Sequence, residues 1–311
     1  MFIEQGVNSE NKFWKYLIGS VVIFITSVIG QLPWLLGITY VTNIKGIQYP
    51  SSADAMIHFF DPNLTLFFML IPFVFTMGGI YFVVRYLHNQ TIRSVTTTRP
   101  KIDWNRVFFS FSLWSVFTIV STLLFYYTNP DGFVLNFKPV PFALLLIIGT
   151  LLIPIQTSTE EYIFRGYLMQ GFGNLVKHKW FPLLMTSLIF GAVHFGNPEV
   201  SKLGDIMFVY YIGTGLFLGI LTLMDEGMEL ALGFHAANNL VGALLVTSDW
   251  SAFQTHSIFK DISEPKAGLD VILPVMVIYP ILLFIFSKKY QWTDWKEKLT
   301  GKINAQGINT I

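Results

Sequence analysis

The stretch 142-FALLLIIGTLLIPIQTSTEEYIFRGYLMQ-170 decides how this chain is read. Its first fifteen residues, Phe142 to Gln156, carry no charge, and Glu160, Glu161 and Arg165 follow within a few positions. A helix needs about 20 apolar residues to cross ~30 Å of hydrocarbon, and this run with its flanks approaches that length. The stretch reads as a membrane helix with two adjacent carboxylates and a guanidinium toward its C-terminal end. Helical spacing sets Glu161 and Arg165 four residues apart on one face, carboxylate N-terminal to cation, the favourable order for such a pair. Glu160 points about 100° away and is left without that partner. Pro154, one to two turns earlier, removes a backbone donor and bends the segment.

Composition agrees with this reading. Of 311 residues, 53% are hydrophobic and 13% charged, with a mean hydropathy of +0.55, whereas soluble domains carry roughly 25% charged residues. Hydropathy gives about eight spans, near residues 16–41, 66–87, 107–127, 142–160, 181–196, 206–224, 228–247 and 269–287. The expected fold is an all-α polytopic helical bundle. The first span follows Lys12 and Lys15, is long for a signal peptide and precedes no A-x-A-like cleavage site, so it reads as a retained anchor. With no repeat and no linker, one membrane domain is expected: N-terminal helices over 1–139, a core over 140–250, and a last helix with its tail over 251–311. The tail beyond Tyr290 reads as a short amphipathic piece followed by a frayed end. A net charge of +1 argues against nucleic-acid binding, and the absence of Cys rules out disulfides, thiolate metal sites and a thiol nucleophile.

Loop charges orient the bundle. Lys12, Lys15, Arg85, Arg93, Arg99, Lys101, Arg106, Lys177, Lys179, Lys288, Lys289, Lys296, Lys298 and Lys302 collect on one side. These are fourteen of twenty basic residues, against five on the other side and Arg165 at a membrane edge. The positive-inside rule puts both termini in the cytoplasm of a multi-pass cell-membrane protein.

The histidines sharpen the functional reading. His58, His88, His178 and His256 fall in predicted loops, where a polar ring needs no explanation. His194 ends the apolar stretch 181-FPLLMTSLIFGAVH-194, and His235 lies within 228-MELALGFHAANNLVGALLV-246, with Asn238 and Asn239 on nearly the same helical face. Such groups at membrane depth are costly unless they pair or face a cavity, and they mark functional candidates. Together they form a chemically complete set for amide hydrolysis, which needs a base for water, an acid for the leaving nitrogen and donors for the oxyanion. Glu160 assisted by His194 suits the activation of water, and His235 with Asn239 suits the oxyanion.

These residues also carry a resemblance. "EEYIFR" (160–165) fits E-E-x-x-x-R, "FGAVH" (190–194) fits F-x-x-x-H, and "HAANN" (235–239) fits H-x-x-x-N. In this order, each on a membrane span, they resemble the CAAX prenyl protease type II and bacteriocin-processing family. The resemblance covers about residues 140–250. It implies an intramembrane endopeptidase with a conical cavity open to the cytoplasm. Glu160 and His194 would activate water, His235 and Asn239 would stabilise the oxyanion, and Glu161 and Arg165 would orient these groups. It implies a hydrophobic or prenylated peptide substrate and contact with membrane lipid.

The resemblance implies no metal cofactor, and H-E-x-x-H is absent; a zinc site of His, His and Glu from three helices is the alternative. Neither G-x-S-G nor G-x-G-D occurs, so serine and aspartyl intramembrane chemistries lack support. Two other function classes use the same residues. A non-catalytic scaffold or bacteriocin-immunity protein would bind a partner peptide or helix without needing Glu160. A proton-coupled transporter would show inverted repeats, and the sequence has none.

Overall fold

The computed structural model describes residues 1–7 and 11–304. All eight predicted spans are helical: α1 (Phe13–Lys45), α2 (Pro62–Leu87), α3 (Trp104–Thr128), α4 (Pro139–Val176), α5 (Trp180–Gly196), α6 (Ile206–Asp225), α7 (Glu229–Leu245) and α8 (Val271–Tyr290). The chain is a multi-pass membrane protein with an all-α bundle. Six of these helices are long and apolar enough to cross a bilayer, not eight. The shortfall is α5, which reaches only 17 residues, and α7, also 17 residues and opened by Glu229. α7 is largely buried in the bundle, whereas α5 buries Thr186 and Ser187 on one side and exposes Trp180, Leu184, Leu188 and Val193 on the other. The C-terminal tail forms a short helix at Trp295–Thr300, and the frayed end expected beyond it lies outside the described residues from 305 on.

Local chemistry sets the helix ends. Asp61 Oδ1 accepts from the Asn63 amide at 2.9 Å and precedes Pro62, which fits the first turn because its missing N–H has no intrahelical partner there. Asp103 Oδ1 accepts from the Asn105 amide at 3.1 Å. Gly46, at φ 61°, closes α1 in the left-handed conformation. The helix of the opening stretch runs through Pro154 and then widens into a π-helical segment over Tyr162–Leu168, directly after Glu161. Such segments are rare and concentrate at functional sites.

Small residues set the close crossings. A Cβ on Gly233 would strike the Val107 backbone carbonyl, so α7 lies against α3, and Ser110 Oγ donates to Leu230 O at 2.7 Å across the same contact. A Cβ on Gly30 would meet Pro72 Cα at 2.6 Å, which draws α1 against α2. In lipid, packing of this kind replaces the hydrophobic drive that folds soluble cores. Phe217, Leu218, Leu221 and Phe234 pack with Tyr279 and Phe286 between α6, α7 and α8.

Three short strands, absent from the sequence reading, close one end. β1 (Phe133–Leu135) pairs antiparallel with β3 (Phe259–Asp261), which pairs parallel with β2 (Val246–Thr247). They cap loop backbone at the face opposite the termini. On the other face, the N-terminal segment and the tail pack together: Phe2 N donates to Glu226 Oε2 at 2.6 Å and Ile303 N to Lys177 O at 2.9 Å.

Candidate active site

Glu160 and Glu161 end the α-helical part of α4 and point to different surroundings. Glu161 is fully buried, and its Oε1 accepts from Arg165 Nη1 at 2.9 Å, the pair argued from spacing. His235 Nδ1 meets the same oxygen at 2.7 Å. Arg165, also fully buried, donates from Nη2 to Gly215 O at 3.0 Å and lies over the Phe190 ring at 4.5 Å. One guanidinium thus joins α4, α5 and α6 and clamps a carboxylate that orients a histidine on α7.

Glu160 keeps 14% of its side chain exposed. Its Oε1 accepts from Gln156 Nε2, one helical turn earlier, while Oε2 has no hydrogen-bond partner and lies 3.5 Å from His235 Nε2. Gln156 Oε1 in turn accepts from Asn239 Nδ2 at 3.0 Å. That uses one of the two Asn239 amide hydrogens, and Asn238 Nδ2 donates to Asn239 Oδ1 at 3.0 Å. Trp114 Nε1 holds Asn238 Oδ1 at 3.1 Å. Two hydrogen-bonded sets, Glu161 with Arg165 and His235, and Glu160 with Gln156, Asn239 and Asn238, therefore meet where His235 Nε2 approaches Glu160 Oε2.

His194 joins the site differently from the pairing expected with Glu160. It stands in a short 3-10 turn at the end of α5, its Nδ1 2.6 Å from Phe190 O and its ring stacked on Tyr211 at 4.5 Å. With Nδ1–H given to that carbonyl, Nε2 is the free nitrogen. The imidazole in contact with Glu160 is His235. Phe190 lies between the two, its ring 4.6 Å from His194 and 6.1 Å from His235.

Gln156, Glu160, Phe190, His194, His235, Asn238 and Asn239 line a cavity of about 970 Å³, and the Glu161–Arg165 pair and Trp114 lie behind its wall. Its other walls come from α1 (Ser20, Phe24), α2 (Met69, Phe73) and α6 (Tyr210, Tyr211). Sequence reasoning missed Gln156 and gave Asn238 no role. A Gln one turn ahead of Glu160 in an apolar helix carried the same signal of buried polarity that singled out the histidines. No sequence signal distinguished Tyr210 or Tyr211 from other membrane tyrosines.

One expectation changes here. His88, read as a loop residue, is 3% exposed, with Nδ1 2.9 Å from Asn11 Oδ1 and Nε2 3.0 Å from Tyr167 Oη. It helps build a packed layer on the terminal face. The cavity's lining runs from Ser20, Tyr167 and Leu168 to Asn197, Glu199 and Ser251 to Phe253.

Among the described residues, no group of three or more His, Cys, Asp or Glu side chains converges to hold a metal.

The fold and site define a polytopic membrane protein with a carboxylate, imidazole and amide network inside its bundle. Residues 139–241 match the family described as type II CAAX prenyl endopeptidase Rce1-like. It is also 29% identical over 250 residues to the uncharacterized protein YyaK of Bacillus subtilis (strain 168), covering 80% of this chain and 83% of that protein. The likeness thus extends well beyond the core. No solved structure matches the chain.

Proposed function

We propose that this protein is an intramembrane endopeptidase that hydrolyses a peptide bond of a hydrophobic or lipid-modified peptide with water activated by Glu160. The observation that carries the reading is Glu160 Oε2, buried without a hydrogen-bond partner beside His235 on the wall of the cavity. A buried acceptor left unpaired is costly, and a water there would satisfy it.

In this reading Glu160 takes a proton from water as the water oxygen bonds to the substrate carbonyl carbon. His194 Nε2, on the same cavity, assists as a second acceptor. His235 and the remaining N–H of Asn239 donate to the tetrahedral oxyanion. The C–N bond then breaks, and Glu160 returns its proton to the leaving nitrogen. Glu161 and Arg165 hold His235 in place, and none of these steps uses a metal.

The test is cleavage of a library of hydrophobic and farnesylated peptides by purified protein, beside Glu160→Gln and beside a zinc chelator. Products are expected from the wild type with and without chelator, and none from folded Glu160→Gln. Loss with chelator would reinstate a metal. The absence of any Glu160-dependent product would favour a scaffold that binds peptide without cutting it.

A further inference from the structure

Asn239 ends in an amide, which can turn either its oxygen or its nitrogen toward a neighbour. To donate to an oxyanion it must offer an N–H, so its orientation has to be set by what surrounds it. Asn239 Nδ2 donates to Gln156 Oε1 at 3.0 Å, and Gln156 Nε2 donates onward to Glu160 Oε1. On the other side, Asn238 Nδ2 donates to Asn239 Oδ1 at 3.0 Å. The chain begins at Trp114, whose Nε1 donates to Asn238 Oδ1 at 3.1 Å.

Three amides in a row can in principle reverse together, and the two ends of this chain forbid it. An indole N–H only donates, and an ionised carboxylate only accepts. With Trp114 at one end and Glu160 at the other, each link has a single possible sense. Reversal would set an Asn238 N–H against the Trp114 N–H and leave donors unpaired inside the bundle, which is costly.

Trp114 itself is 6% exposed and does not line the cavity. Its ring is stacked on Phe117 at 4.9 Å and tilted against Phe234 at 4.5 Å, which fixes the direction of its N–H. The α3–α7 crossing delivers it there. Ser110, one turn before Trp114, bonds Leu230 O, and Gly233 lets the two backbones approach. Leu230, Phe234 and Asn238, spaced four apart, follow along the facing side of α7.

We infer that Trp114 is a positioning residue of this site, its indole N–H acting through Asn238 to fix the Asn239 amide with the oxygen engaged and an N–H left to offer the cavity. The same chain keeps Gln156 donating to Glu160 Oε1, so that Oε2 stays the oxygen that meets water. The orientation stands on the bonds above; its bearing on hydrolysis rests on the proposed peptidase activity.

The test removes the N–H and keeps the ring. Trp114→Phe retains an aromatic side chain, and benzothienylalanine, placed at position 114 by nonsense suppression, retains the bicyclic shape with sulfur where the N–H was. Both variants of the full-length protein should cut a hydrophobic peptide with kcat lowered by about 10- to 100-fold and KM nearly unchanged. A benzothienylalanine variant as fast as wild type would assign any loss in Trp114→Phe to packing and overturn the inference, as would a change confined to KM. Asn238→Leu should also lower kcat, and adding Trp114→Phe to it should cost nothing further, because two links of one chain fail together. Losses that multiply overturn action through Asn238. The contact is also read without turnover, in the indole N–H resonances of protein carrying isotope-labelled tryptophan. The signal that vanishes in Trp114→Phe should move upfield in Asn238→Leu, and a signal that stays in place overturns the bond. If wild-type protein cuts no peptide, the peptidase reading falls, and the indole signal alone decides the orientation.

Discussion

His235 Nδ1 lies 2.7 Å from Glu161 Oε1, the oxygen that also accepts from Arg165 Nη1 at 2.9 Å. A fully buried carboxylate shared by an imidazole and a guanidinium fixes the ring of His235 so that Nε2 faces Glu160. The pair of adjacent glutamates thus divides its work by direction, one inward as a clamp and one on the cavity wall.

Glu161→Ala should be severely destabilising. Removing one partner of a buried ion pair leaves an uncompensated charge and costs about 3–5 kcal/mol, here at Arg165. Thermal unfolding of the detergent-solubilised protein would show it as a large drop in Tm, whereas an unchanged Tm would contradict the clamp.

Gln156→Leu should preserve the fold and lose turnover. The substitution removes the bridge between Glu160 Oε1 and Asn239 Nδ2 while keeping apolar volume in α4. Misplacing catalytic groups by about 1 Å can cost about 10²-fold, so kcat should fall by about that factor with KM nearly unchanged. A change confined to KM would assign Gln156 to substrate binding instead.

Gly233→Ala should loosen the bundle at the site. The added methyl would meet the Val107 carbonyl, a backbone atom that cannot rotate aside, so α7 must move away from α3 and carry His235 with it. Overpacking of this kind costs about 1–3 kcal/mol. Reduced Tm together with reduced turnover is expected; a variant identical to wild type in both would show that the crossing has slack.

Acid should weaken the terminal face through His88. Burial, with a smaller contribution from Lys15, lowers its pKa from 6.5 to about 4. The unfolded chain then binds the proton more readily than the folded one between those values, so stability is full above pH 6.5 and is lost as pH falls toward 4. The full loss is on the order of 3 kcal/mol, from about 1.4 kcal/mol per pH unit. His88→Gln should flatten Tm against pH across this window, and an unaltered slope would place the effect elsewhere.

Much of this molecule was legible in its residues. Apolar runs bounded by charge and proline marked all eight helices, because hydrocarbon accepts only segments whose backbone bonds are internal. The i,i+4 offset foretold the Glu161–Arg165 pair, and membrane depth singled out His194, His235 and Asn239. Local spacing says nothing about contacts between helices, so it missed that Gln156 bridges Glu160 and Asn239 and that His235 is the imidazole beside Glu160. His88 looked like a loop residue for the same reason, since its burial comes from Asn11 and Tyr167, each more than seventy positions away.

The sequence by itself determined the membrane class, the helices and the inventory of reactive groups, because hydropathy and charge act residue by residue. Only the tertiary structure decided which groups meet and which line the cavity. Those depend on how α4, α5, α6 and α7 cross and on the small residues that let them approach.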